Sequence, residues 1–228
     1  SSIDDEKNKA IATKINWQEI LIDDEIWQLK SNIYHEFVQR NFNTEWGLEP
    51  VGFNRDWNII SNKPTRNLFR SEFKLKDKEG NSILYQFNNL SYLDNYEGRK
   101  HIIRSNMKLD DVSFFVDASL LSNTSVRESN SFFTARANVE YSYEETWLGA
   151  SINFETNDRK NKITQEYINS SHRFKEYEAY IGYGDSTKVF SRVGFNFRNN
   201  DSIRSNRFTE INNRKTLFLN STLIQNKT

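Results

Sequence analysis

The 228-residue chain contains no cysteine, one methionine, two prolines and eight glycines. The absence of cysteine excludes disulfides, thiolate metal sites and cysteine nucleophiles. No run of eighteen apolar residues is present, so the sequence predicts no transmembrane helix. The first residues are polar, where a secretory signal would show a basic end and an apolar stretch. Because the chain opens without Met and closes directly after a strand-like run, we expect a fragment of a longer protein.

The chain also has no excess of positive or negative charge, because 31 Lys and Arg residues balance 31 Asp and Glu residues. A chain without net charge has no global field that attracts nucleic acid or an anionic membrane surface. We therefore expect no nucleic-acid partner. Stability has to come from packing and backbone pairing.

What the sequence does contain is a two-residue alternation of apolar and polar side chains. Successive side chains of a β-strand point to opposite faces, so this pattern predicts strands with one apolar and one polar face. The clearest case interleaves an apolar set, Phe133, Ala135, Ala137, Val139, Tyr141 and Tyr143, with a polar set, Arg136, Asn138, Glu140 and Ser142.

The alternation recurs along most of the chain and is separated mainly by short polar turns. Short turns favour antiparallel neighbours, because a parallel pair needs a crossover of about a dozen residues. We predict an all-β antiparallel meander of about ten strands over residues 26–228, with longer excursions at 157–174 and 198–214. Residues 1–25 carry apolar side chains near a helical period and predict a short helical or irregular lead-in.

Two architectures satisfy such a meander. In a soluble sandwich or covered sheet, the apolar face packs inward and the polar face meets water. In a segment of an outer-membrane β-barrel, the apolar face meets lipid and the polar face lines the lumen. The charged content of 27% favours the soluble form, whereas tight turns and strands of nine to eleven residues suit the barrel.

No catalytic constellation is visible in the sequence. His35, His101 and His172 lie far apart and lack the spacing of a metal site or a general base. No nucleophile elbow, phosphate loop or complete calcium loop is present. We expect no enzyme activity, no metal and no cofactor.

Aromatic residues make up 14% of the chain, and a few of them suggest a surface for a partner. Flat rings on the polar side of a strand suit stacking against sugars, although cross-strand aromatic pairs also stabilise a sheet. The candidate interaction residues are Arg55, Trp57, Phe132, Tyr180 and Phe190.

Two stretches carry a resemblance to a known group. The Phe53–Asn58 stretch (FNRDWN) and the Phe174–Phe190 stretch (FKEYEAYIGYGDSTKVF), together with heavy use of Asn, Lys and Tyr, resemble long uncharacterised β-strand-rich cell-envelope proteins of Bacteroidota. The resemblance implies a location in the periplasm, the outer membrane or the cell surface, and a non-enzymatic structural or interaction role. The expected partner is another protein or another part of the same chain. Outer-membrane barrel and glycan-binding sandwich remain the alternatives.

Overall fold

The computed structural model describes residues 11–39, 57, 65–93, 96–185 and 189–223. These residues form eleven antiparallel β-strands in one sheet, whose spatial order is the order along the chain. The strands are β1 (Ala12–Asp23), β2 (Trp27–Val38), β3 (Arg66–Asp77), β4 (Ser82–Tyr92), β5 (Tyr96–Leu109), β6 (Val112–Thr124), β7 (Glu128–Tyr143), β8 (Thr146–Asn161), β9 (His172–Asp185), β10 (Val189–Arg204) and β11 (Arg207–Leu223).

The predicted antiparallel meander is therefore confirmed. The described residues contain a single sheet rather than two packed sheets, and strands β1 and β11 form its two edges. Each strand contacts chiefly the strands before and after it. The sheet has no second layer within the described part of the chain.

Two expectations along the chain were wrong. Residues 12–23, predicted as a helical or irregular lead-in, form strand β1 and pair along their length with β2. The helical spacing of the apolar residues is overridden by backbone pairing with the neighbouring strand. Residues 198–214, predicted as an excursion, belong to a hairpin in which Asn199 pairs with Asn213. Its turn is Ser205-Asn206, both with positive φ, as the preferred two-residue hairpin turn requires.

The predicted excursion at 157–174 is shorter than expected, since β8 continues to Asn161 and β9 begins at His172. The connection lies against the end of β8: the backbone N–H of Ile168 donates to the carbonyl of Arg159 at 2.9 Å. Ser171 is fully buried beside Arg159 and exchanges hydrogen bonds of 3.0 Å with its backbone.

The connections define two ends of the sheet. The tight-turn end carries the β1–β2, β3–β4, β5–β6 and β7–β8 turns. At the β3–β4 turn the Asp77 carboxylate accepts a 2.7 Å bond from the backbone N–H of Asn81, and Gly80 adopts φ 98°. Such a left-handed conformation favours glycine. The opposite end carries the β2–β3 and β8–β9 connections, which are the longer ones.

Candidate functional site

The strand register sorts the side chains onto two faces. Val139 on β7 lies directly opposite Phe114 on β6 and Ala150 on β8, so these residues share one face, called here the outer face. Glu140 and Arg136 lie on the other, called the inner face. On β7 the predicted apolar set lies on the outer face and the predicted polar set lies on the inner face.

The outer face exposes large apolar side chains. Leu148 is 57% exposed, Leu217 79% and Leu219 72%. Strands β3 to β10 contribute further exposed residues of the same kind: Phe73, Ile83, Tyr85, Ile103, Phe114, Phe133, Val139, Tyr141, Ile152, Tyr177, Ile181, Val193 and Phe195. No described residue covers this face.

Aromatic contacts run across the outer face from strand to strand. The Phe87 ring lies 6.4 Å from that of Phe69 and 5.1 Å from that of His101. Tyr177 makes a similar bridge on β9, with centroid distances of 5.7 Å to Phe154 and 6.2 Å to Phe197. Toward the tight-turn end, Tyr141, Tyr143 and Tyr183 are exposed. Aromatic rings therefore mark both limits of the apolar surface.

The inner face is polar, yet its side chains are the more covered ones. Asn88 is 3% exposed and Asn196 9% exposed. Asn88 accepts a hydrogen bond from Arg70 on β3, and Asn196 donates one to Glu176 on β9. Contacts between adjacent strands therefore cover these polar side chains.

Ion pairs between adjacent strands stabilise the inner face. Glu36 on β2 pairs with Arg66 on β3, and Glu178 on β9 pairs with Arg192 on β10. Burial alone would raise the pKa of Glu36, but the hydrogen bond from Tyr34 and the charge of Arg66 outweigh it and lower that pKa. Paired charges of this kind satisfy polar groups that are partly removed from water.

Glycines on the inner face make room for aromatic rings. A Cβ added to Gly149 would stand 2.2 Å from Cζ of Tyr180, and one added to Gly182 would stand 2.2 Å from Cε2 of Trp147. Each ring thus lies flat over the backbone of the neighbouring strand. The Tyr180 hydroxyl donates a 2.7 Å hydrogen bond to Glu140. Burial and this bond raise the pKa of Tyr180 to about 12.

A small hydrophobic cluster occupies the inner face near the opposite end. Its buried members come from β3, β4, β6 and the β2–β3 connection, and they are Trp57, Leu68, Leu90, Tyr92 and Leu121. The backbone carbonyl of Trp57 accepts hydrogen bonds from the Tyr96 hydroxyl at 2.5 Å and the Asn123 amide at 3.0 Å. Trp57 is thereby held against the inner face of the sheet.

The candidate interaction residues do not form one exposed patch. Trp57 and Tyr180 are buried, at 6% and 7% exposure, and Phe132 packs against the Trp57 cluster. Phe190 is half-buried with its ring 6.3 Å from that of Trp147. Arg55 lies outside the described residues. The four described side chains have packing partners within the sheet.

The three histidines stay apart in the structure. His35 hydrogen-bonds Asn67 at 2.8 Å, and His101 contacts the Tyr85 hydroxyl at 2.9 Å. His172 contacts Glu155 at 2.6 Å on the inner face. Among the described residues no group of three or more His, Asp or Glu side chains is placed to hold a metal ion.

No helix in the described part of the chain is long and apolar enough to cross a membrane. No protein-family model matches the chain, and no curated protein matches it at a significant level.

Proposed function

We propose that this chain is a structural module of the cell envelope that forms part of the wall of an outer-membrane β-barrel. The outer face would contact lipid and the inner face would line an aqueous interior. The observation that carries the proposal is the inverted burial of the sheet: large apolar side chains are exposed while polar ones are covered.

The size of the apolar surface supports the proposal. A large side chain of 150–250 Å² that is about 40% exposed leaves roughly 60–100 Å² uncovered, so about ten of them exceed the few hundred Å² that soluble monomers expose in one patch. More than ten such side chains lie on the outer face. Exposing that apolar surface to water is unfavourable, whereas contact with lipid hydrocarbon is not.

The dimensions of the apolar band support it as well. The outer-face residues of β7 run from Phe133 to Tyr143 without a charged side chain, which spans about 33 Å at roughly 3.3 Å per residue. At a strand tilt of about 40° this length covers roughly 25 Å, the height of the apolar band of a membrane barrel. The outer-face charge Asp158 on β8 lies opposite Ser131, beyond the band toward the opposite end. On β9 the band is shorter, because Lys175 lies level with Ala135.

The inner face fits the lumen side of such a wall. Its ion pairs and its Tyr180–Glu140 hydrogen bond are those of a hydrated but crowded polar surface. Strands that alternate apolar outward and polar inward are the sequence signature of membrane barrels.

Flotation tests the proposal. The chain, purified in detergent, is mixed with phosphatidylcholine vesicles, freed of detergent, washed with urea and centrifuged through a sucrose gradient. We expect it to float with the vesicles and to aggregate when both lipid and detergent are absent. A chain that is soluble and monomeric without detergent, and that stays below the vesicles, would contradict the proposal.

A matched pair of variants separates insertion from loose adhesion. Val139→Asp with Ile152→Asp places two charges on the outer face and should abolish flotation, because charged groups on a lipid-facing surface are destabilising. Asn138→Asp with Asn153→Asp places the same charges on the neighbouring inner-face positions and should leave flotation intact. Equal behaviour of the two double variants would refute the assignment of the faces.

A further inference from the structure

Charged side chains are unevenly distributed over the inner face, although the whole chain has no net charge. The register places one residue of each strand in a row that crosses the sheet. From β2 to β7 this row reads Lys30, Lys74, Leu84, Arg104, Asp117 and Arg136. It is called here the basic row.

Within the described residues the basic row has more cations than its acids can neutralise. Asp117 accepts a 3.2 Å hydrogen bond from Nε of Arg104, which pairs one of the four cations. Neither Lys74 nor Arg136 makes an ion pair with a described residue. Lys30 lies directly opposite Lys74, an arrangement of like charges that destabilises a strand pair.

A hollow of about 390 Å³ lies on the inner face between β5 and β8 at this row. The charged side chains that line it are Lys100, Arg104, Arg136 and the carboxylate of Asp117, and hydroxyl and amide groups come from Ser119, Thr134 and Asn153. The hydroxyls of Ser119 and Thr134 are hydrogen-bonded to each other at 2.8 Å. A guanidinium group has five N–H donors, so Arg104 keeps donors that its single bond to Asp117 does not use.

We propose that the basic row accumulates small anions at the inner face, and that a carboxylate- or phosphate-bearing solute binds in the hollow between Arg104 and Arg136. The inference rests on the proposed function, in which the inner face lines a water-filled space. Two guanidinium groups and flanking hydroxyls match the planar, multidentate acceptors of such anions. Excess positive charge that lines a hollow raises the local anion concentration.

Collisional quenching at a single labelled position tests the accumulation. Because the chain lacks cysteine, Leu84→Cys offers one thiol for a neutral fluorophore in the basic row, between Lys74 and Arg104 and outside the lining of the hollow. Ser151→Cys is the matched control: it lies on the inner face and is similarly half-buried, but it faces Glu178. The protein is kept in detergent micelles, and quenching by iodide is divided by quenching by uncharged acrylamide, which corrects for access.

We expect the iodide-to-acrylamide ratio at position 84 to be about threefold higher than at 151, the factor for a potential difference of about one kT. Raising the salt concentration should bring the two ratios together, because salt screens the field. Arg104→Gln with Arg136→Gln should do the same, whereas Lys175→Gln on the outer face should not. Equal ratios at 84 and 151, or a difference that survives high salt, would overturn the proposal.

Binding in the hollow has its own readout. Inorganic phosphate added at constant ionic strength should lower the iodide ratio at position 84 when both arginines are present but not in the double Arg variant. No competition by phosphate would refute the bound-anion part. These measurements use micelles, so they are independent of flotation. If the chain floats but the two labelled positions give equal iodide-to-acrylamide ratios, anion accumulation alone is refuted. If the ratio is higher at the basic row but the chain does not float, the barrel proposal alone is refuted.

Discussion

Replacing Gly149 by Ala tests the packing of the inner face. The added Cβ would stand 2.2 Å from Cζ and 2.4 Å from the hydroxyl oxygen of Tyr180, so the ring has to move off the backbone of β8. It then loses its 2.7 Å hydrogen bond to Glu140 and its cation–π contact with Arg192, whose guanidinium carbon lies 3.5 Å from the ring centroid.

The expected cost is about 2–4 kcal/mol. A hydrogen bond to a charged group contributes roughly 1.5–3 kcal/mol and a cation–π contact about 0.5–2 kcal/mol. Against this, Ala is favoured over Gly within a strand by roughly 0.5–1 kcal/mol. Urea unfolding in detergent, followed by circular dichroism, measures the change in the free energy of unfolding.

A double-mutant cycle isolates the mechanism. In a Tyr180→Ala background the ring is gone, so Gly149→Ala should be neutral or stabilising by up to about 1 kcal/mol. The coupling between the two positions is the quantity of interest. An equal cost of Gly149→Ala in both backgrounds would refute the ring-over-glycine account.

Three other perturbations have defined outcomes. Val139→Arg should destabilise the lipid-embedded sheet by about 2–4 kcal/mol, and Asn138→Arg on the inner face by much less, as measured by unfolding in vesicles; equal costs would contradict the face assignment. The hydrogen bond from Tyr34 and the ion pair with Arg66 lower the pKa of Glu36. The ionised carboxylate therefore stabilises the fold at pH values above its ordinary pKa near 4.5, and this stability is lost as the pH falls through the folded-state pKa. The difference in the free energy of unfolding between the wild type and Glu36→Gln should therefore shrink in acid. A difference that does not change with pH would contradict this role of Glu36. Trp57→Ala should cost about 3–5 kcal/mol by urea unfolding, since it empties a buried site; a loss below 1 kcal/mol would show that the cluster does not support the sheet.

Sequence periodicity predicted most strands because alternation is a local property. Where the alternation fades, the prediction failed: β10 and β11 extend past the apolar band through Asn199 and Asn213, which read as a polar loop. Strand β1 was missed because its apolar residues also fit a helical period, and pairing with β2 decides its conformation.

The two faces could be predicted but not what each would contact. Alternation places Val139 and Glu140 on opposite faces both in a sandwich and in a barrel. A sandwich would bury the apolar face under a second layer, whereas the described residues contain no second layer and leave that face exposed. The basic row was beyond sequence reasoning, because it depends on the register of six strands. The position of Trp57 over Leu90 and Leu121 is likewise a long-range contact that no local pattern encodes.

The central claim is that the outer face contacts lipid and the inner face contacts water. It is tested most directly by placing single cysteines at the adjacent positions 138 and 139, attaching a fluorophore and inserting the protein into vesicles that contain brominated lipid. The account predicts strong quenching at Val139→Cys and little at Asn138→Cys, with the same contrast between Ile152→Cys and Asn153→Cys. Equal quenching within each pair, or stronger quenching at 138 and 153, would contradict it.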